Sequence, residues 1–115
     1  MIFLCSSPSL AEGQSRGFAA DGLRLLAVRQ NGQVYLYENR CPHRGVPLEW
    51  VADQFLDLSG SLLQCSTHGA LFLISNGECV AGPCAGQSLR SLVCHEDAQG
   101  IWLVNQEQAG SGQRS

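Results

Sequence analysis

The chain has 115 residues, a formal net charge of −3 and 44 % hydrophobic residues. That composition describes one domain with one real core, and it excludes both an intrinsically disordered chain and a basic surface built for nucleic acid. Thirteen glycines and four prolines favour short elements joined by tight turns over a helical bundle.

The chain opens with Ile2-Phe3-Leu4-Cys5. A truncated leader or lipid-anchor signal would need a basic start and a longer apolar run, so this stretch is predicted to be a short first strand. No segment reaches the roughly 18 consecutive apolar residues of a membrane span. The expected location is a reducing cytoplasm, where six cysteines are not to be paired as three disulfides by default.

Hairpin signals recur along the chain. Leu23–Arg29 and Gln33–Tyr37 flank Asn31-Gly32, the strongest short hairpin cue, because both central positions of a type I′ turn need positive φ. In the second of these strands Val34 and Leu36 alternate with Tyr35 and Tyr37, which leaves one side purely aliphatic. Glu49–Leu58 has apolar residues spaced for one or two helical turns at most. Asn76-Gly77 stands between Leu71–Ile74 and Glu78-Cys79-Val80, and Asp97-Ala98-Gln99-Gly100 between Leu89–His95 and Ile101–Val104. Strands recurring about every ten residues predict an all-β antiparallel sandwich or barrel. The domain is expected to span 1–105, with 106–115 a Gly/Ser/Gln-rich flexible tail.

Two segments fit no strand: Cys41 to Leu48 and Cys65 to Ala70. They contain Cys41-x-His43 and, after 21 intervening residues, Cys65-x-x-His68. One such pair could be a buried cysteine beside an incidental histidine. Two of only three histidines placed this way at two separate turns is not plausibly incidental. Two thiolates and two imidazoles suit either a tetrahedral structural zinc or a 2Fe–2S unit in which two histidines replace two cysteines on one iron. Zinc fingers usually group their ligands as Cys-x-x-Cys and then His-x₃₋₅-His. Here each loop supplies one of each, so two loops can approach a two-metal unit from opposite sides.

At these residues the chain resembles the Rieske iron–sulfur family. The match is Cys41-Pro-His43-Arg-Gly-Val-Pro-Leu with Cys65-Ser-Thr-His68-Gly-Ala-Leu-Phe72, together with Asn76-Gly77 and Gly82-Pro83, and it extends over about residues 2 to 104. The resemblance implies an antiparallel β sandwich whose two ligand loops form a small cluster-binding cap. Cys41 and Cys65 would bind the inner iron of one 2Fe–2S cluster and His43 and His68 the outer iron, with Gly82-Pro83 in a third loop over the cluster. Rieske subunits of cytochrome bc complexes carry an extra cysteine in each ligand loop and hydroxyl groups near the sulfurs. This chain has Val46 and Thr67, and then Ala70 and Phe72, at those places. Fewer hydroxyl donors to sulfur imply a lower potential.

The resemblance implies a soluble, low-potential Rieske ferredoxin like those serving aromatic-ring dioxygenases. It would be an electron carrier rather than an enzyme, passing single electrons from a flavin reductase to an oxygenase or similar acceptor, with no nucleic-acid or membrane partner. A small Rieske subunit of a larger oxidoreductase, such as nitrite reductase, is the alternative, and a structural zinc module the third reading. A self-contained oxygenase is not, because only His95 remains once the four ligands are used.

The neighbouring residues carry less. Gly45 and Gly69 could shape the turns and offer N–H groups to sulfur. Arg44 reads as a solvated charge, Trp50, Phe55 and Trp102 as packing, and His95 as a surface strand residue. Cys5 and Cys94 read as strand residues, whereas Cys79 and Cys84 flank the Gly82-Pro83 loop and could form a disulfide, against which a reducing compartment argues.

Overall fold

The computed structural model describes residues 1–20, 22–42, 48, 54–57, 59–65, 69–82 and 84–104. Among these residues there are ten strands, β1 (Ile2–Cys5), β2 (Ser15–Ala20), β3 (Leu23–Gln30), β4 (Gln33–Glu38), β5 (Leu62–Gln64), β6 (Leu71–Leu73), β7 (Cys79–Ala81), β8 (Ser91–Leu92), β9 (Cys94–Asp97) and β10 (Gly100–Leu103). Apart from one 3₁₀ turn at Ser7–Ser9, no helix is found among the described residues. None is therefore long and apolar enough to cross a membrane.

The strands form three antiparallel sheets, in the orders β1-β10-β9, β2-β3-β4-β8 and β5-β6-β7. The four-stranded sheet lies in the middle because its central strands are apolar on both faces. Leu25 and Ala27 of β3, with Val34 and Leu36 of β4, pack against Ile101 and Leu103 of the first sheet and Leu92 of β8. Leu26 and Val28, with Tyr37, pack the other way, against Leu63, Phe72 and Ile74 of the third sheet and its loop. The four consecutive buried residues Leu25–Val28 are thus a strand between two cores. The aliphatic side of β4 predicted from sequence is the one facing the first sheet.

The β3–β4 hairpin is the one Asn31-Gly32 predicts. Gln30 pairs with Gln33, and φ is 55° at Asn31 and 77° at Gly32, the type I′ signature. The Glu12 carboxylate crosses over to accept from both turn amides, Asn31 N at 2.7 Å and Gly32 N at 2.8 Å.

Other predicted elements take different forms. The β6–β7 connection is a longer loop. Gly77 N–H donates to Leu73 O at 2.9 Å, and Asn76 Oδ1 accepts from Glu78 N at 2.9 Å. Only Gly77 has positive φ there, and the ladder slips between Leu71 and Phe72. Asn76 therefore works as a side-chain acceptor, not as a left-handed turn residue. The expected strand Leu89–His95 divides into β8 and β9, which pair with different partners and carry the chain from the middle sheet to the first. Within Glu49–Leu58, the described residues 54–57 are extended. Leu56 bridges Leu63, and Gln64 N–H donates to Phe55 O at 2.8 Å. The rest of that segment lies outside the described residues, as does the tail 106–115.

Arg29 ties the first two sheets together. Its guanidinium reaches Leu10 O at 2.6 Å and pairs with Glu96 of β9 at 2.5 Å, and Ser7 Oγ also donates to that carboxylate. The Arg29 hydrogen bond holds the Glu96 carboxyl below its ordinary value of 4.5, with Ser7 and the Arg29 charge adding and burial opposing. A carboxyl depressed in the folded state adds stability above its unfolded pKa and loses it as pH falls through the folded value. The Glu96→Gln variant should therefore be less stable at neutral pH, and its urea midpoint should fall less steeply than that of the unsubstituted protein between about pH 6 and about pH 3.

Candidate metal centre

Cys41 and Cys65 are completely buried and belong to the same apolar core. Each comes after a strand of a different sheet: Cys41 stands three residues after β4, and Cys65 directly after β5. The site is therefore a junction between the middle sheet and the third. An ionised thiolate in such a core is costly unless a cation or metal meets it. Two buried thiols in one core fit that need. None of the six cysteines is in a disulfide.

Hydrogen bonds to the backbone shape both loops. In the second, Cys65 N–H donates to Ala70 O at 2.9 Å and Gly69 N–H donates to Cys65 O at 2.7 Å. Cys65 is thus tied to both Gly69 and Ala70. Gly69 adopts φ +69°, and a Cβ placed there would meet nothing within 4 Å. Its role is conformational, and its N–H is committed to a carbonyl instead of a sulfur. The first loop is closed by Asn39, the one buried polar side chain among the described residues. Asn39 Oδ1 accepts from the N–H of buried Leu48 at 2.8 Å, and Asn39 N–H donates to Arg24 O at 2.8 Å. One side chain before Cys41 thus grips the far end of the loop. Sequence reasoning did not select it; a lone asparagine two residues ahead of the motif was the only signal.

The third loop lies against the second. Gly82 has φ +99°, and a Cβ there would stand 2.8 Å from Ala70 Cα and 3.1 Å from Ala70 Cβ. The backbone at Gly82 can make that approach only because it carries no side chain. Beneath this turn Cys84 Sγ lies 3.0 Å from Cys79 Sγ, and Cys79 Sγ lies 3.2 Å from Ala81 O. Burial, then the Cys79 contact, pushes the Cys84 thiol up to about 12, and the charge of nearby Cys41 acts in the same direction. Tyr37 Oη donates to Ile74 O, fastening the β6–β7 loop to the middle sheet, and burial pushes its phenol up to about 12.

Ala70 and Phe72 are fully buried and put no hydroxyl at their positions. Phe55 is fully buried packing, and Trp102 meets Phe3 edge-on, with ring centroids 5.0 Å apart. His95 is exposed on β9, 3.2 Å from Asp97 Oδ2 and on the first sheet. Cys5 is buried in β1, and Cys94 is half-buried in β9. His43, Arg44, Gly45, Val46, Trp50, Thr67, His68 and Pro83 lie outside the described residues.

Residues 1–99 match the family described as the Rieske 2Fe-2S domain. Among curated proteins, apoptosis-inducing factor 3 of human and of mouse is 33 % identical over 75 residues, which is 65 % of this chain and 12 % of that protein. Cholesterol 7-desaturase of Caenorhabditis elegans is 31 % identical over 81 residues, 70 % of this chain and 18 % of that protein. The chain therefore spans less than a fifth of the length of these relatives. Among solved structures, the ferredoxin of carbazole 1,9a-dioxygenase from Nocardioides aromaticivorans has a TM-score of 0.74 at 22 % identity, covering 90 % of this chain and 95 % of that one. A structure of the complex of reduced oxygenase and oxidized ferredoxin in carbazole 1,9a-dioxygenase contains a chain with a TM-score of 0.71 at 19 % identity, covering 90 % of this chain and 100 % of that one. At these identities the structures establish a shared fold.

Replacing Asn39 by Ala leaves the buried Leu48 N–H without its side-chain acceptor, and should cost about 1–3 kcal/mol in urea unfolding. Gly69→Ala should cost only the left-handed backbone penalty, about 1–2 kcal/mol. Gly82→Ala should cost more than Gly69→Ala, because Ala70 must also move.

Proposed function

The chain belongs to the Rieske 2Fe–2S domain family, which implies one Rieske-type 2Fe–2S cluster, and from this premise we propose that Cys41, His43, Cys65 and His68 hold it and that the protein is a one-electron carrier. The observation that supports the ligand set is the full burial of Cys41 and Cys65 in one core, each opening a short motif with a histidine two or three residues on. Bound there, the cluster supplies reversible one-electron chemistry. The protein's own part is to bury the thiolates, hold both loops rigid and keep water from the sulfurs. His95, on the far sheet, takes no part.

The proposed partners are a flavin reductase as donor and an oxygenase or similar enzyme as acceptor. Support comes from the likeness to ferredoxins, one of them in a structure with its oxygenase. A permanent Rieske unit of a larger oxidoreductase is the second reading, favoured by the small share of the curated relatives that the chain spans. Gel filtration of native extract separates the two, since a free carrier elutes as a small species. The proposed setting is the cytoplasm.

Anaerobically purified protein should contain two iron and two acid-labile sulfide per chain, as a 2Fe–2S unit requires. Stoichiometric zinc without sulfide would overturn the ligand proposal. Serine at Cys41 or Cys65, or alanine at His43 or His68, should abolish the visible spectrum, whereas His95→Ala should leave it unchanged. Bleaching by His95→Ala with survival of His68→Ala would refute the assignment. With Ala70 and Phe72 supplying no hydroxyl, the midpoint measured by protein-film voltammetry should fall near the low end of the Rieske range, roughly −150 mV rather than +300 mV.

A further inference from the structure

Cys79 and Cys84 are not needed as cluster ligands, yet their sulfurs are in direct contact. The two Sγ atoms lie 3.0 Å apart, about 1 Å beyond the ~2.05 Å of an S–S bond. Cys84 Sγ is within hydrogen-bonding distance of Cys79 Sγ, and Cys79 Sγ of Ala81 O at 3.2 Å. The surrounding backbone already has the form of a closed ring. Cys79 N–H donates to Gln87 O at 2.8 Å, Gln87 N–H to Cys84 O at 2.9 Å, and Gly86 N–H to Cys79 O at 3.4 Å. Closing the last ångström therefore needs a small adjustment of side-chain torsions and leaves the strand pairing in place.

We propose that Cys79 and Cys84 are a reversible dithiol–disulfide pair, oxidised by a peroxide, that staples the turn carrying Gly82 against Ala70 of the second ligand loop. In the step, one S–S bond forms and two S–H bonds and the peroxide O–O bond break. The two thiols lose two electrons to the peroxide, and their two protons leave in the two water molecules formed when the oxidant is hydrogen peroxide.

Two features of the site select a small oxidant. Both sulfurs are buried, Cys79 at 2 % and Cys84 at 0 % exposure, which bars a bulky disulfide. Yet the cover is one layer thick, since Gly82 and the turn residues 85–88 are all exposed. Burial also disfavours the Cys84 thiolate, so the pair rests reduced and reacts slowly unless the turn opens.

The proposal does not depend on which residues hold the cluster, and its test reads neither colour nor metal content. The full-length holoprotein is treated with hydrogen peroxide, its remaining thiols are alkylated under denaturing conditions, and its peptides are weighed. A Cys79–Cys84 linked peptide, two hydrogens lighter and released by dithiothreitol, is the expected result. Both cysteines fully alkylated, both separately over-oxidised, or either joined to another cysteine would overturn the pair. Amide exchange tests the staple. Exchange at Ala85, Gly86 and Gln87 should slow by roughly tenfold in the oxidised form, because a short covalent ring restricts local opening. Unchanged exchange alongside the linked peptide would overturn the clamping role.

Discussion

The two-sided burial of β3 is the constraint on which the rest depends. A strand that sends Leu25 and Ala27 to one core and Leu26 and Val28 to another must lie between two layers. The partner strand β4 keeps the same alternation, with Val34 and Leu36 on one side and Tyr37 on the other. Because side chains alternate along a strand, a slip of one residue would exchange the two cores entirely. The two-residue turn at Asn31-Gly32 fixes that register at its end. Both cysteines of the candidate metal centre are referenced to this pair of strands. Cys41 leaves β4, and the third sheet, which delivers Cys65, rests on its Tyr37 face.

Between those layers the described residues around Cys41 and Cys65 are tied by hydrogen bonds to backbone groups. Asn39 grips Leu48, Cys65 and Ala70 pair across their turn, and Tyr37 fastens Ile74. Each of these contacts satisfies a polar group that the apolar surroundings would otherwise leave costly. The ion pair between Arg29 and Glu96 sits elsewhere, joining the first sheet to the second. Among the described residues the polar contacts thus divide: a charged clasp holds the first two sheets, and neutral hydrogen bonds tie the residues around Cys41 and Cys65.

The sequence was most legible where one local signal decides the conformation. Asn31-Gly32 needed no knowledge of the rest of the chain, and the alternation in Val34–Tyr37 survived intact. Asn76-Gly77 was less legible because the same dipeptide can enter a longer loop, and the slip between Leu71 and Phe72 selects it. The division of Leu89–His95 arises from the need to cross between sheets, which no window of that segment contains. Asn39 could not be chosen from the sequence, because its value depends on Leu48 returning to it across the whole first loop. For the candidate metal centre the sequence offers only chemistry, Cys41 with His43 and Cys65 with His68. The burial of both thiols in one core is a tertiary fact.

Gly82 joins these levels. Its dihedral angle and its distance from Ala70 are two separate demands, and a residue with any side chain fails both. A loop that merely crossed the surface would face only the first. The second arises because backbone packs on backbone at the very residue that closes the Cys65 turn. Displacement of the third loop must therefore be felt at Ala70, and through the bond from Cys65 N–H to Ala70 O at the cysteine itself. Cys79 of β7 and Cys84, two residues beyond Gly82, are in sulfur contact beside that approach, so a change in their covalent state acts on the Gly82–Ala70 contact next to Cys65.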